Sequence, residues 1–489
     1  MRLTSANFGV VVVLLGALLF GFSIDRYPLF YVDEAFFAYP ALKANLGSAF
    51  SYPVSAAAPF GSDLWAYHGP AFPHLLRILF HYFGFSTAIS RLPNFIGAWL
   101  AILLLVVALK RNGYRFAGLS LALLWCGDRS TQEVMYGRME GLTLLCLVCT
   151  FLCLGFKDSG ALKLSSVMGG IFCGLAVLLN PLCVLFAVMS FLLLIYLRSF
   201  RHALWFAFGA AFNIPLLLFL WDFRVRAAIT QFFWHAHRLQ VNTAWQSFVL
   251  MLELLRWSRY WFVALLVFSG LSIVIGIRKL LTDRRRLDPG WREFLLATAY
   301  AMASLPMIFR ASTHPYYIVY FAIWPMLCLV TLAERSWKQM RPLAVVMVLI
   351  WCSSAAWNAL RVRETLLLHN ALSRSFLYGE VDKVVPRDAT VIVTPELYGV
   401  PLEATHSRFL LTTWFPEQQD ACRSCYVLLT DEEFRNADYI RRSNLEQRTV
   451  LYVGPAFPKA GAMQYPVLFL SPESEEKTAI GSAKPPFQK

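Results

Sequence analysis

Residues 7–40, NFGVVVVLLGALLFGFSIDRYPLFYVDEAFFAYP, decide the fold. The stretch 7–24 is uncharged and almost wholly apolar. At about 1.5 Å per residue, a helix of that length nearly crosses a hydrocarbon core of roughly 30 Å. Its flanks carry too few basic residues for a secretory signal, and no small-residue cleavage site follows, so it reads as a retained helix. Just beyond it, Asp33 and Glu34 sit among Tyr31, Phe36, Phe37 and Tyr39. Such an aromatic setting places the carboxylate pair at a membrane interface. An ionised group is costly there and tends to mark a site. The plain alternative is that Asp33 caps a short helix beginning at Glu34.

The same composition continues along the chain. Of 489 residues, 58% are apolar and only 15% are charged, against about 25% charged in ordinary soluble domains. Apolar stretches at 7–24, 91–109, 114–127, 138–156, 164–180, 181–197, 203–221, 257–277, 293–309, 316–333 and 342–360 predict a polytopic α-helical membrane protein of about eleven transmembrane helices. The count turns on the short third stretch and on the Asn180-Pro181 break, since losing one span inverts everything after it. The net charge of +14 comes largely from short loops holding Lys110, Arg111 and Arg115, then Lys157 and Lys163, Arg198 and Arg201, Arg278 to Arg292, and Arg335 to Arg341. That is the positive-inside pattern, which sets nucleic acid aside as a partner. The Arg284–Arg286 run is then an inner-face signal and a contact for anionic membrane lipids. With the N-terminus inside, residues 25–90, 128–137, 222–256, 310–315 and the C-terminal tail share the outer face.

After residue 360 the long apolar runs stop. Strand-like stretches at 390–395, 407–413, 424–430, 448–454 and 465–471, with an amphipathic helix over 430–443, predict a small α/β extracytoplasmic domain. The expected division is a membrane domain over 1–360 and a soluble domain over 361–489, with a disordered tail from about 472. No repeat at a fixed period appears, which argues against a solenoid and against an inverted-repeat transporter. Eight of the ten cysteines lie within or beside apolar spans, where a thiol acts as a small hydrophobe. The other two, Cys422 and Cys425, form a CxxC that reads as a short-loop disulfide, as free thiols or as half a metal site. No second CxxC or His pair completes a zinc set.

Three outer loops bring charged groups to one face. The first adds Tyr67-His68-Gly69-Pro70, an amphipathic stretch over 72–84, and Arg91-Leu92-Pro93. The second ends in Tyr136-Gly137-Arg138-Met139-Glu140. A third holds Arg310, His314, Pro315, Tyr316 and Tyr317. His235 and His237 also lie in an outer loop, where an HxH on an aromatic segment reads as interfacial packing rather than a metal site.

In these features the sequence resembles the GT-C superfamily of polytopic glycosyltransferases. The resemblance is specifically to the branch of protein O-mannosyltransferases, lipid A aminoarabinose transferases and the related rhizobial galacturonosyltransferases. The resemblance rests on Asp33-Glu34 after the first helix, the Ala/Tyr-rich helix running to Gly47, His68-Gly69-Pro70, Phe83-Gly84, Arg91-Leu92-Pro93, Arg138 with Glu140, Gly174-Leu175-Ala176, and Tyr317 with Pro325. It covers residues 1–200 well and the remainder by hydropathy. Two positions depart from the pattern: Gly69-Pro70 replaces a Pro-Pro, and Asn180 replaces a basic residue near the fifth span.

The resemblance implies transfer of a sugar from a polyprenyl-phosphate donor to a lipid, glycan or protein acceptor, at the outward face of a bacterial inner membrane. Phosphate is a good leaving group, so the needs are a base for the acceptor hydroxyl and cations for the departing phosphate. Asp33 is the candidate base, and Glu34 orients it or binds acceptor. His68, Arg91, Arg138, His314 and Tyr317 are candidates for the donor phosphate, with Glu140 fixing Arg138. Asp33, Glu34 and Glu140 could also hold a divalent metal, as some members of the superfamily do. The rival reading is a transporter of lipid-linked saccharide. Transporters place charges near the bilayer midplane, whereas these spans are nearly uncharged and the acidic pairs sit at one interface.

Overall fold

Each of the eleven apolar stretches contains helix among the described residues of the computed structural model. The structure describes residues 5–367 apart from 26–31, 46, 48, 52–58, 61–62, 156–161, 239–242, 284–288 and 311–314; beyond 367 it describes residue 385 and the strands given below. The helices in chain order are α1 (Ser5–Gly21), α2 (Val32–Asn45), α3 (Ala71–Phe83), α4 (Thr87–Arg111), α5 (Ala117–Gly127), the short α6 (Ser130–Glu133), α7 (Glu140–Gly155) and α8 (Leu162–Leu179). They continue with α9 (Val184–Leu197), α10 (Phe200–Ala211), α11 (Ile214–Leu220), α12 (Val225–Arg238), α13 (Ala244–Leu255), α14 (Arg259–Asp283), α15 (Pro289–Arg310), α16 (Ile318–Arg335) and α17 (Trp337–Leu367). Five segments, at 87–111, 200–220, 244–282, 315–335 and 337–361, are long and apolar enough to cross a bilayer by length and composition. The others are shorter apolar helices or amphipathic ones. The fold is that of a polytopic helical membrane protein.

Small residues let these helices approach closely, as packing within lipid requires. A Cβ on Gly97 of α4 would lie 2.7 Å from the Leu142 backbone, and one on Gly141 of α7 would lie 2.0 Å from the Asn94 carbonyl. The α4–α7 crossing therefore depends on two glycines facing each other's backbones. The 315–335 segment is the central post, with every residue from Ile318 to Leu332 buried. Its Trp324 meets Tyr300 edge to face, and Tyr300 in turn meets Phe151 and Phe186 edge to face. Glu334 at its end accepts backbone N–H bonds from Arg115, Phe116 (2.9 Å) and Ala117 (2.7 Å). A carboxylate thus satisfies the orphan donors at the start of α5.

The amphipathic stretch expected over 72–84 is α3, which buries Phe72, Pro73, Leu76 and Phe80 on one face. The span expected over 203–221 is two helices, α10 and α11, broken at Asn213. The side chain of Asn213 donates to the Ile171 carbonyl on α8 (3.1 Å). The last helix runs on past residue 360 to Leu367, because Leu, Arg and Glu are good helix formers even where hydrophobicity ends.

The chain divides into two compact units, Met1–Leu372 and Ser373–Lys489. In the second, β1 (Thr390–Val393), β2 (Arg408–Leu411), β3 (Tyr426–Thr430), β4 (Val450–Val453), β5 (Phe457–Pro458), β6 (Gln464–Tyr465) and β7 (Val467–Leu470) are described. Five form one sheet in the order β2-β1-β3-β7-β4, and β5 pairs with β6. The pairings of β1 with β2 and β3 are parallel, while β7 runs antiparallel to β3 and β4. The expected 430–443 helix, the Cys422–Cys425 pair and the tail from 472 lie outside the described residues.

Candidate active site

The described candidate residues Asp33, Glu34, His68, Arg91, Arg138, Glu140 and Tyr317 lie close to one another, and two ion-pair systems organise them. The first is a clamp. Glu34, fully buried in the first turn of α2, receives both Nε (2.7 Å) and Nη2 (2.8 Å) of Arg91, the two-pronged geometry that makes guanidinium–carboxylate pairs strong. Its Oε1 also accepts the Gly137 N–H (2.6 Å), and Arg91 donates from Nη1 to the Ile24 carbonyl (3.0 Å). One carboxylate therefore ties together the end of α1, the start of α2, α4 and the turn before α7. Gly137 fits closely there: a Cβ would stand 3.1 Å from Glu34 Oε1 and 3.2 Å from the Ser90 carbonyl.

The second system faces the open side. Buried Arg138 bonds Glu140 through Nε (3.1 Å) and Nη2 (2.8 Å), and its Nη1 bonds Asp33. Its guanidinium lies 3.5 Å from the ring centroid of Tyr316 and 5.2 Å from that of Phe37, so the cation is in contact with two aromatic rings. Asp33 is about one quarter exposed and also accepts the Tyr316 hydroxyl (2.8 Å). Asp33 lies in the first turn of α2 and is turned to Arg138 and Tyr316.

His68 lies beside this system, its ring 5.7 Å from Phe36 and 5.6 Å from Phe37. Its position is set by Gly69, where a Cβ would fall 2.2 Å from the Leu178 carbonyl of α8. A second proline at that position would collide with α8, which accounts for Gly69-Pro70 here. Burial, then His235, then Arg138 hold the His68 imidazole well below its usual range. Tyr317 is buried in the short 3-10 turn Pro315–Tyr317, its ring 4.9 Å from Tyr316. His314 lies outside the described residues.

Arg91 and Arg138 thus have different duties. Arg91 is 1% exposed and committed to Glu34, whereas Arg138 borders the partly open Asp33. The carboxylates do not fit a shared divalent metal. Both oxygens of Glu34 are taken by Arg91 and Gly137, Glu140 is taken by Arg138, and Asp33 turns to Arg138 and Tyr316. Among the described residues no group of three or more His, Cys, Asp or Glu side chains is placed to hold a metal ion.

Three groups of contributors escaped the sequence reading. Tyr316, beside the candidate Tyr317, is the tyrosine that bonds Asp33 and lies against Arg138. Asn94, one turn beyond Arg91, donates to the Val134 (3.1 Å) and Tyr136 (2.8 Å) carbonyls and so shapes the turn that presents Arg138. Helical spacing from Arg91 was the available signal. Buried Asp128 accepts from Trp261 Nε1 (2.8 Å) and the Ser130 N–H (2.8 Å), and Asn358 of α17 donates to the Asp128 carbonyl (2.5 Å). No spacing in the sequence links those three.

No family model matches the sequence, and no curated protein does. Solved structures define the fold class. ArnT from Cupriavidus metallidurans matches in the apo state with a TM-score of 0.58 at 14% identity, covering 94% of this chain and 97% of that one. The same protein bound to undecaprenyl phosphate matches at 0.60 and 13% identity over the same shares. The Archaeoglobus fulgidus oligosaccharyltransferase, in complex with Zn and sulfate, matches at 0.50 and 14% identity over 93% of this chain and 72% of that one. This chain shares their fold.

Proposed function

We propose that this protein is a membrane glycosyltransferase that moves a sugar from a polyprenyl-phosphate donor to a hydroxyl of a lipid, glycan or protein acceptor. The observation that carries the reading is the Asp33–Arg138–Glu140 system: a partly open carboxylate bonded to a buried arginine that a second carboxylate neutralises. The donor phosphate takes Arg138 Nη1 in place of Asp33, so donor arrival frees the Asp33 carboxylate to act as base. The bond between the sugar's anomeric carbon and the phosphate oxygen breaks, and its electron pair leaves with the phosphate. The acceptor oxygen bonds the anomeric carbon as its proton passes to Asp33. Arg138 stabilises the charge gathering on the phosphate. Tyr316, bonded to Asp33 and lying against Arg138, keeps the two aligned. Glu34 and Arg91 act by holding α2 and the 137–140 turn in place. No step passes through a metal.

Purified protein should transfer sugar from a synthetic polyprenyl-phosphate sugar and ignore the matching nucleotide sugar. Efficient transfer from the nucleotide sugar with no polyprenyl lipid present would overturn the donor assignment.

The topology that goes with this reading has eleven spans in a bacterial inner membrane, with Asp33 and the C-terminal unit on the outer side. Reporter fusions at residues 60 and 420 should both report export, and one at residue 285 should remain cytoplasmic. A cytoplasmic signal at 420 rejects the eleven-span arrangement.

A further inference from the structure

The loop that carries Arg138 is anchored at both ends, and the anchor at its start has no part in the chemistry assigned above. Asp128 follows the end of α5, and it is buried together with all four residues of α6. One oxygen of its carboxylate accepts the Ser130 N–H (2.8 Å), a local turn that aspartate favours. The other accepts Nε1–H of Trp261 from α14 (2.8 Å). Among the described residues Asp128 forms no ion pair with a lysine or arginine. A carboxylate buried without a cation is costly unless hydrogen bonds satisfy it, so these two donors hold Asp128 in place.

Asn358 of α17 closes the same turn from a third helix. Its amide nitrogen donates to the Asp128 carbonyl (2.5 Å) and to Thr131 Oγ1 (3.1 Å). Its amide oxygen accepts from Gln132 Nε2 (2.8 Å). Trp261 and Asn358 are both buried. Thr131 and Gln132 belong to α6, so that single turn of helix is tied to α14 and α17 at once.

The turn reaches Arg138 in two ways. The Val134 and Met135 N–H groups bond back to the Ser130 (3.1 Å) and Gln132 (3.0 Å) carbonyls, and the Arg138 N–H bonds the Tyr136 carbonyl (2.8 Å). A segment bonded to itself this closely transmits a displacement and does not absorb it. α6 also packs against the 3-10 turn Pro315–Tyr317, which brings the Tyr316 ring to the Arg138 guanidinium. Asn94 holds the loop at Val134 and Tyr136. That contact is a pivot, and the direction of the loop from it is set at the other end, by Asp128.

We propose that Asn358 and Trp261 are positioning residues for Arg138: through Asp128 they fix the loop that presents the guanidinium, and so set how well it meets the donor phosphate. This rests on the phosphate role given to Arg138 above and extends it to two helices remote in sequence. Nε and Nη2 of Arg138 are held by Glu140, which leaves Nη1 to meet the phosphate. A hydrogen bond weakens steeply as its angle closes, and misplacing a reacting group by about 1 Å costs on the order of 10²-fold in rate.

The test uses the full-length protein in nanodiscs, with turnover and amide hydrogen exchange as readouts. Asn358→Leu keeps the size of the side chain and removes its hydrogen bonds. With a polyprenyl-phosphate sugar it should lower kcat/KM for the donor roughly 10–100-fold and leave KM for the acceptor unchanged. In an Arg138→Lys background the same substitution should cost less than about threefold, because lysine on its flexible stem finds the phosphate for itself. A merely structural role gives no such coupling, since independent losses multiply. Amides of residues 128–136 should exchange roughly tenfold faster in Asn358→Leu, and also in Trp261→Phe, which removes one N–H and keeps a ring. Equal losses in the wild-type and Arg138→Lys backgrounds overturn the proposal. Unchanged exchange in the loop overturns it too, as does an unchanged donor kcat/KM in a variant whose loop has loosened. Where Asn358→Leu does not fold, Trp261→Phe makes both comparisons, with an expected loss of roughly 3–10-fold in donor kcat/KM. Absence of turnover from the lipid donor in wild type strikes the donor reading instead, and the exchange rates then decide whether Asn358 and Trp261 hold the loop.

Discussion

Asp33→Asn is expected to lower turnover by roughly 10²–10⁴-fold, the range lost when a positioned general base is removed, while the protein still folds. Asparagine keeps the shape of the side chain but cannot accept the acceptor's proton. The fold should tolerate the change because Glu140 still neutralises Arg138 through Nε and Nη2 and Tyr316 still covers its face. Turnover with a polyprenyl-phosphate sugar and a thermal melt of the same preparation make the comparison. The competing idea, that Asp33 only supports the start of α2, expects the reverse: activity retained, with a stability loss of roughly 0.5–2 kcal/mol. A variant that is active but less stable would remove Asp33 from the chemistry.

Glu34→Ala should fail differently. It strands the Arg91 guanidinium, 1% exposed, without its carboxylate and leaves the Gly137 N–H without its acceptor. Breaking a buried pair by removing one partner costs roughly 3–5 kcal/mol, a large share of the stability of an ordinary domain. The expected result is low yield and a sharply lowered melting temperature. The double variant Glu34→Met/Arg91→Met removes both charges and should regain much of that loss, since apolar replacement of a buried pair is often neutral or better. If Glu34 is only a clamp, turnover should recover along with folding. A double variant that folds well yet makes no product would instead give Glu34 a direct part in acceptor binding.

The contrast between these two neighbours marks the limit of sequence reading. The pair was recognisable as a site because two carboxylates beside an apolar helix are too costly to be incidental. Their division of labour was not. Successive residues on a helix point about 100° apart, so Asp33 faces Arg138 and the open side while Glu34 faces Arg91 in the interior. Which arginine stood on which side depended on how α4 and the 137–140 turn pack. Those placements in turn depend on Asn94 and on glycines lacking a Cβ.

The sequence by itself determined what local chemistry determines: helices long enough for a bilayer, basic short loops, and charged residues gathered at the ends of spans. Hydrophobic length and loop charge act segment by segment, so they can be read without knowing any partner. Only the tertiary structure decided the rest, namely that Arg91 pairs with Glu34 while Arg138 pairs with Asp33 and Glu140, so that each of the three carboxylates is engaged by an arginine, and that His235 stands against His68. Each of these depends on distance across the bundle, where a buried charge takes its role from whichever group packing brings within about 3 Å.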